Sequence, residues 1–157
     1  MRSVTLVKHS KGAPLLRLFG LGASFKPSRG ILQLQKLFNQ YAFWAKERNK
    51  KNIKKMLSNS SSVVTLWSEN ELIGFGRATS DSIYRAVLWD IVVNKSFQGE
   101  GYGKLIIEEL LSSKEIKRVE KVYLMTTNQE KFYNQLFFEE VLDQKLLLLN
   151  PNHNNNV

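Results

Sequence analysis

A short glycine-rich segment, Gln98–Gly103, lies between an apolar stretch and an amphipathic stretch, and this succession constrains the fold more than any other feature. Trp89–Val93 is β-prone, and the stretch Gly103–Ser113 has its apolar residues at helical spacing. The first N–H groups of a helix have no partner within the helix and carry partial positive charge. Because glycine lets a backbone approach an anion without a Cβ atom, the segment predicts a main-chain phosphate site.

The spacing of the segment excludes two common phosphate motifs. A Walker loop needs Ser or Thr after its lysine, whereas Leu105 follows Lys104. A dinucleotide fingerprint needs G-x-G-x-x-G, whereas the glycines here are spaced G-x-G-x-G. The alternative without function is a tight surface turn that binds nothing.

Periodicity predicts the remaining elements. Helices are predicted over Ile31–Arg48, Asn52–Leu57, Gly103–Ser113 and Gln129–Leu136. Strands are predicted over Val4–Val7, Val63–Trp67, Leu72–Thr79, Arg85–Val93 and Lys121–Thr127, with Phe138–Leu149 as a closing pair or one long strand. This order, with a hairpin before the alternating elements, predicts an α+β fold whose sheet carries helices on its faces.

The length of 157 residues predicts one folded domain over residues 31–149. Residues 1–30 are basic and rich in breakers, so we expect a weakly ordered N-terminal segment, and residues 150–157 are expected to be a disordered tail. The start of the chain lacks acidic residues, as organelle transit segments do, but it is not serine-rich and has no secretory apolar region. Cytoplasm is the expected location, with a plastid as the alternative.

Composition limits the chemistry. The chain has no cysteine and two histidines, His9 and His153, near its ends, which argues against disulfides, thiolate chemistry, a metal site and a Ser-His-Asp triad. No apolar run is long enough to span a bilayer. The net charge of +9 fits either attraction to a polyanion or a merely solvated basic face.

Three motifs in order resemble the GNAT superfamily of N-acetyltransferases. Gln98–Gly103 resembles its [QR]-x-x-G-x-[GA] signature, and Phe132–Leu136 resembles its F-Y-x-x-L segment. The stretch Leu72–Asp81 with Trp89-Asp90 is similar to a cyanobacterial and plastid branch that includes serotonin N-acetyltransferases. The resemblance covers about Ile31–Leu149.

This resemblance implies a three-layer fold with a mixed central sheet and splayed strands 4 and 5, and acetyl-CoA as the acetyl donor. The loop would hold the pyrophosphate, the end of the fourth strand would pair with the pantetheine amides, and a polar residue after the fifth strand would touch the cofactor. The residues implied are Ile91, Val92, Val93, Gln98, Gly99, Glu100, Gly101, Tyr102, Gly103 and Asn128.

Two catalytic residues are expected. Tyr133 matches the tyrosine that protonates the departing thiolate in the superfamily, unless it is only a core aromatic. Asp90 is the expected base, because a carboxylate in an apolar strand has a raised pKa unless it is paired. The alternative for Asp90 is a structural hydrogen-bond acceptor. Asp81, Glu71 or a chain of water molecules are alternatives. Phe137 stands where the superfamily usually has glycine, so the turn there either ends differently or is strained.

The expected reaction is direct transfer of acetyl to a primary amine, carried by a serotonin-like arylalkylamine or by a protein lysine or N-terminus. A non-catalytic acetyl-CoA-binding domain is the first alternative. A basic nucleic-acid-binding module is the second, although no nucleic-acid-binding motif is present. We expect no nucleic-acid or membrane partner, and a homodimer is left open. Trp44, Trp67 and Trp89 either line an aromatic pocket or belong to the core.

Overall fold

The computed structural model describes residues 3–151 of the chain. These residues divide into two separate compact units between Met125 and Thr126. The first contains β1 (Val4–His9), α1 (Pro14–Phe19), α2 (Gly30–Tyr41), α3 (Lys50–Ser58), β2 (Ser62–Ser68), β3 (Glu71–Ser80), β4 (Arg85–Val93), α4 (Tyr102–Ser112) and β5 (Lys121–Tyr123). The second contains α5 (Glu130–Asn134).

The five strands form one mixed sheet in the order β1-β2-β3-β4-β5. The first four pair antiparallel with their neighbours, whereas β5 runs parallel to β4. The pairing of β4 with β5 ends at Val87↔Tyr123, but β4 continues to Val93. The two strands therefore part along the second half of β4, as predicted.

Helices cover both faces of this sheet. Phe38 of α2 packs edge-to-face on Phe75 of β3, with ring centroids 5.4 Å apart. The next residue, Gly76, points to the opposite face because strand side chains alternate. A Cβ atom at Gly76 would lie 2.4 Å from Cγ2 of Ile106 in α4, so glycine is needed for the helix to approach this closely. The predicted three-layer α+β fold is confirmed.

The N-terminal segment carries more structure than the weak order expected of residues 1–30. Strand β1 pairs with β2 from Val4↔Ser68 to His9↔Val63, and Leu16 of α1 is fully buried. Its breakers fall between these elements, since Gly20 ends α1 in the left-handed conformation. The division of the chain at residues 30 and 149 stays a prediction, and most of the predicted tail (residues 152–157) lies outside the described residues.

The ends of two elements were predicted wrongly. The predicted helix Ile31–Arg48 ends at Tyr41. Its apolar period continues because Ala45, in a separate 3-10 turn, is also buried. Strand β5 ends at Tyr123, not Thr127, since β4 diverges from it there.

No strand is present among residues 126–151, so the predicted strands over Phe138–Leu149 are wrong. The four leucines Leu146–Leu149 are between 72% and 91% exposed. A strand requires a hydrogen-bonding neighbour, and this segment has none within its own unit. Over residues 3–151, no helix has the length and apolar character needed to cross a bilayer.

Candidate active site

A β-bulge interrupts β4 at its midpoint. Phe75 pairs with Val92 and Arg77 with Trp89, so Asp90 and Ile91 both lie opposite the single residue Gly76. Asp90 has a φ of 55°, in the left-handed region that aspartate tolerates better than most residues. A bulge bends the strand and redirects its side chains. Here it turns the Asp90 carboxylate toward α2 and α3 and the turn between them.

Three donors hold that carboxylate. Nε1 of Trp44 donates to Oδ1 at 3.0 Å, and Nε of Arg77 donates to Oδ2 at 2.8 Å. Nη1 of Arg48 lies 3.1 Å from Oδ2. The Asp90 side chain is 4% exposed, whereas Arg77 and Arg48 are 14% and 31% exposed. Asp90 therefore fastens the segment between α2 and α3 onto β4.

The ion pairs with Arg77 and Arg48 keep the Asp90 carboxylate ionised. Burial on its own raises the pKa of this carboxyl, but the hydrogen bonds and charges of Arg77 and Arg48 outweigh burial and hold the pKa below its ordinary value. The pKa was expected to be raised unless the carboxylate is paired, and it is paired, because Arg77 of the neighbouring β3 and Arg48 supply the counter-charge. A carboxylate that stays ionised and has three donors is a poor proton acceptor near neutral pH.

The other carboxylates considered as bases are also engaged. Asp81 accepts backbone N–H bonds from Ile83, Tyr84 and Arg85, and these bonds lower its pKa. Oε1 of Glu71 lies 3.3 Å from Nδ2 of Asn94. Both carboxylates therefore have structural partners in the first unit.

The segment after the bulge, Ile91–Val93, belongs to the part of β4 that β5 does not pair with. On its other edge it is held by β3, through Gly74↔Val93 and Phe75↔Val92. This edge of the parted strands therefore presents β4 backbone that has no strand neighbour among residues 3–151. Backbone amide and carbonyl groups at such an edge are able to pair with an extended ligand.

Side-chain hydrogen bonds fix the turn that follows β4. The N–H of Asn94 donates to the carbonyl of Ile73 at 2.7 Å, and Oδ1 of Asn94 accepts from the N–H of Ser96 at 3.0 Å. Nε2 of Gln98 reaches back to the carbonyl of Val93 at 2.9 Å. Gln98 therefore anchors the glycine loop to the end of the strand.

The glycine loop itself is open. Gly99 and Gly101 have φ values of 83° and 85°, and no atom lies within 4 Å of a Cβ built at either position. Gly101 is the N-cap of α4 and provides no side-chain cap, and the first helical bond runs from the N–H of Leu105 to the carbonyl of Gly101. Within residues 3–151 no acceptor bonds the N–H groups of Tyr102, Gly103 and Lys104.

These amides, the helix dipole and the exposed glycines form an arrangement that is able to bind an anion. The charged side chains nearby are one exposed acid and one paired lysine. Glu100 is exposed within the loop, and Lys104 lies 3.7 Å from Glu108 one helical turn on. An anion bound here would therefore be held by the backbone, with space where side chains would otherwise stand.

Two of the predicted site residues, Asn128 and Tyr133, lie in the second unit. Tyr133, in α5, is half-buried against Phe132 and Phe138, with ring centroids 5.1 and 6.0 Å away. Burial raises the pKa of its hydroxyl, which therefore stays protonated at neutral pH. Oδ1 of Asn128 lies 3.4 Å from Nε2 of Gln129.

Phe137 ends α5 in the left-handed conformation, with a φ of 67°. The N–H of Phe138 donates to the carbonyl of Tyr133, and the N–H of Phe137 donates to the carbonyl of Asn134, which is the bonding pattern of a Schellman motif. Of the two alternatives weighed for this turn, the strained one is present. Phe137 therefore adopts the left-handed backbone conformation that glycine usually adopts at this position.

The contacts of Trp44, Arg48 and Arg77 with Asp90 were not predicted from sequence. The contact of Arg77 could have been predicted. Arg77 and Asp90 lie in two neighbouring apolar strands, and opposite charges in such strands predict an ion pair. The contacts of Trp44 and Arg48 with Asp90 depend on the turn after Tyr41. This turn was not predicted, because the helical pattern of apolar residues continues past it.

Comparison with known proteins agrees with this geometry. Residues 31–142 match the acetyltransferase (GNAT) family. The chain is 30% identical over 140 residues to a protein of the red alga Gracilaria tenuistipitata var. liui named uncharacterized N-acetyltransferase ycf52, covering 86% of this chain and 75% of that protein. A protein of the same name from Pyropia yezoensis is 35% identical over 100 residues, which covers 60% of this chain and 57% of that protein.

Relatives from plants match a shorter region. The histone acetyltransferase TAP1 of Glycine max is 38% identical over 72 residues, which covers 45% of this chain and 31% of that protein. Among solved structures, a probable acetyltransferase of Staphylococcus aureus has a TM-score of 0.69 at 21% identity, over 94% of this chain and 99% of that one. The family match spans the strand bulge, the glycine loop and α5, and the chain belongs to the acetyltransferase (GNAT) family of acetyl-CoA-dependent N-acetyltransferases.

Proposed function

We propose that this protein transfers the acetyl group of acetyl-CoA to a primary amine, and that the loop Gln98–Gly103 binds the pyrophosphate of the donor. The observation that carries the proposal is the open loop at the start of α4. Glycines with positive φ leave space for a ligand, and the N–H groups of Tyr102, Gly103 and Lys104 have no acceptor within residues 3–151. A bound diphosphate would satisfy them.

The strand edge at Ile91–Val93 is the proposed site for the pantetheine arm. Its backbone has no β5 neighbour, and an extended chain with amide groups is able to occupy the place of a strand there. The bulge at Asp90 lies immediately before this edge. In this arrangement the thioester would lie near the bulge and the pyrophosphate near the helix.

The chemistry requires two proton movements. As the neutral amine attacks the thioester carbon, a C–N bond forms, the C–S bond breaks, and the sulfur leaves as a thiolate. Tyr133 is the proposed acid that gives its hydroxyl proton to this thiolate, and the raised pKa keeps that proton in place at neutral pH. The proton lost by the amine passes to water, since Asp90 is paired with two arginines.

Two acceptor classes have support. The exposed aromatic pair Phe43 and Trp44, in edge-to-face contact at 5.1 Å, favours an arylalkylamine, because the hydrogen bond of Trp44 to Asp90 fixes the pair beside β4. The plant relative named a histone acetyltransferase favours a protein amine. Both acceptors bring a primary amine to the same thioester.

The proposal is tested by coenzyme A release with a panel of arylalkylamines and lysine peptides. We expect release with at least one amine, and about a 100-fold lower turnover in Tyr133→Phe with donor affinity nearly unchanged. Tyr84→Phe is the matched control, since Tyr84 is 61% exposed and bonds through its backbone. Donor binding without release for any amine would instead support a non-catalytic acetyl-CoA-binding domain.

A further inference from the structure

Helix α3 carries a lysine face. Lys50, Lys51, Lys54 and Lys55 are all exposed, whereas Ile53 and Leu57 are fully buried. At 3.6 residues per turn, the four lysines fall within about 140° of arc, beside the stripe of buried residues. Because the buried residues fix the rotation of the helix, the lysine face is held toward solvent.

The lysine face has an electrostatic cost. Lys50 and Lys54, and likewise Lys51 and Lys55, are four residues apart, and like charges at this spacing destabilise a helix. Lys50 and Lys51 also stand in the first turn, where no acidic residue offsets the positive end of the helix dipole. An anion bound outside the helix would relieve both effects.

The fold does not itself provide that anion. In the part of the chain that the structure describes, no carboxylate lies within 4.0 Å of the amino groups of these four lysines. The preceding residues Lys46 and Arg48 extend the positive stretch, and Glu47 is its single acid. The surface is therefore complementary to a run of several negative charges.

The lysine face is continuous with the proposed acceptor side of the site. Asn49 caps α3 by accepting the N–H of Asn52 at 2.8 Å, and the residue before it, Arg48, reaches Asp90 at 3.1 Å. Trp44 contacts the same carboxylate. A polypeptide bound along α3 would therefore lie close to the bulge in β4, because residues just before the helix contact Asp90.

We propose that the lysine face docks an acidic segment of a protein acceptor and thereby presents an amine next to that segment for acetylation. This inference rests on the proposed acetyl transfer and selects the protein class of acceptor. A polypeptide supplies both the carboxylates and an aliphatic amine on one chain. A nucleic acid supplies the charge without a basic aliphatic amine.

The test uses two fluorescein-labelled lysine peptides of equal length, one with four Glu residues beside the lysine and one with Gln in their place. Fluorescence anisotropy without acetyl-CoA should show tighter binding of the Glu peptide. Substitution of Lys51, Lys54 and Lys55 by Gln should weaken that binding about tenfold. Substitution of Lys114, Lys117 and Arg118 by Gln removes equal charge elsewhere and should change it less than twofold.

Each outcome decides the proposal. Equal binding of the two peptides, or equal loss in both variants, would overturn it. Displacement of the Glu peptide by a single-stranded RNA of the same charge at lower concentration would overturn it in favour of nucleic acid. Acetyl-CoA calorimetry and coenzyme A release with a small amine are separate readouts, so a failure of the proposed function is distinguishable. In the α3 variant, donor affinity and turnover of the small amine should remain unchanged.

Discussion

Two regions flank the last three residues of β4, and they are built in opposite ways. The Asp90 cluster, at the bulge, is made of side chains around a buried carboxylate, and this carboxylate has a donor for each oxygen. The glycine loop, beyond the end of the strand, is exposed and made of backbone, and its helix-initiating amides have no acceptor within residues 3–151.

The difference separates structural stability from ligand binding. A cluster whose polar groups satisfy one another contributes to folding and has little free capacity for a ligand. A helix start with unsatisfied donors contributes little to folding and retains that capacity for an anion. Substitutions in the cluster should therefore change stability first, and substitutions in the loop should change donor affinity first.

The largest effect is expected from Gly101→Glu. This residue has a φ of 85°, and a side chain there would both strain the turn and place negative charge at the anion site. We expect acetyl-CoA affinity, measured by calorimetry, to fall at least about 100-fold. The far-UV circular dichroism spectrum should stay that of the folded parent protein. Unchanged affinity in a folded variant would remove the loop from the binding site.

The next effect is expected from Asp90→Asn. Asparagine tolerates the left-handed conformation and still accepts from Trp44, but it leaves Arg48 and Arg77 without their counter-charge. The free energy of unfolding should fall by roughly 2–3 kcal/mol, less than for a fully buried pair because Arg48 is partly exposed. Chemical denaturation measures it.

Glu108→Gln, which removes an exposed ion pair to Lys104, is the matched control for Asp90→Asn and should cost less than about 0.5 kcal/mol. If the two substitutions lower the free energy of unfolding equally, the Asp90 cluster does not stabilise the fold more than an exposed ion pair does. A lowered donor affinity in Asp90→Asn, with unchanged stability, would likewise break the division between the two regions.

The pH dependence of stability should separate Asp90 from His9. Because pairing lowers the folded pKa of Asp90, its contribution is present above the unfolded value of about 3.9 and is lost as pH falls through the folded pKa. Burial lowers the pKa of His9 to about 4, so parent and variant alike should lose stability between about pH 6.5 and pH 4. The difference between the parent and Asp90→Asn, from denaturation at each pH, should be constant above about pH 4 and shrink below it.

A constant difference down to the lowest accessible pH would contradict the ionised, arginine-paired state of Asp90. A difference that already shrinks between pH 7 and pH 5 would instead indicate a raised pKa, as for a general base.

The smallest effect is expected from Glu100→Gln. Glu100 is an exposed acid within a loop proposed to bind a diphosphate, so its charge opposes the ligand. Removing that charge should tighten acetyl-CoA binding by about twofold to threefold at low ionic strength, and 0.5 M salt should abolish the difference. Weaker binding in this variant would show that the carboxylate itself contacts the donor.

Much of the sheet follows from sequence, because the information is local there. Strand β4 has the predicted bounds Arg85–Val93, since its apolar run is bordered by turns. Helix α2 was predicted too long because Ala45 keeps the helical period after the helix has ended. A buried side chain in a tight turn contributes to periodicity in the same way as one in a helix.

In the candidate site, too, features set by local sequence could be predicted and features set by distant residues could not. The open loop could be predicted because its donors are main-chain groups and its three glycines lie within five residues of sequence. The protonation state of Asp90 could not, because its partners Arg48 and Arg77 come from other elements. Pairing across strands depends on register, and the bulge in β4 shifts that register by one residue.

Main-chain amides at the start of α4 are proposed to bind the diphosphate of the donor. A titration of ¹⁵N-labelled protein with coenzyme A, followed by amide chemical shifts, tests this. We expect large, saturable shifts for Gly99, Gly101 and Gly103 with one common dissociation constant, and no shift for the remote amides of Lys50 and Lys51 in α3. Saturation of binding with these three glycine amides unmoved would contradict it.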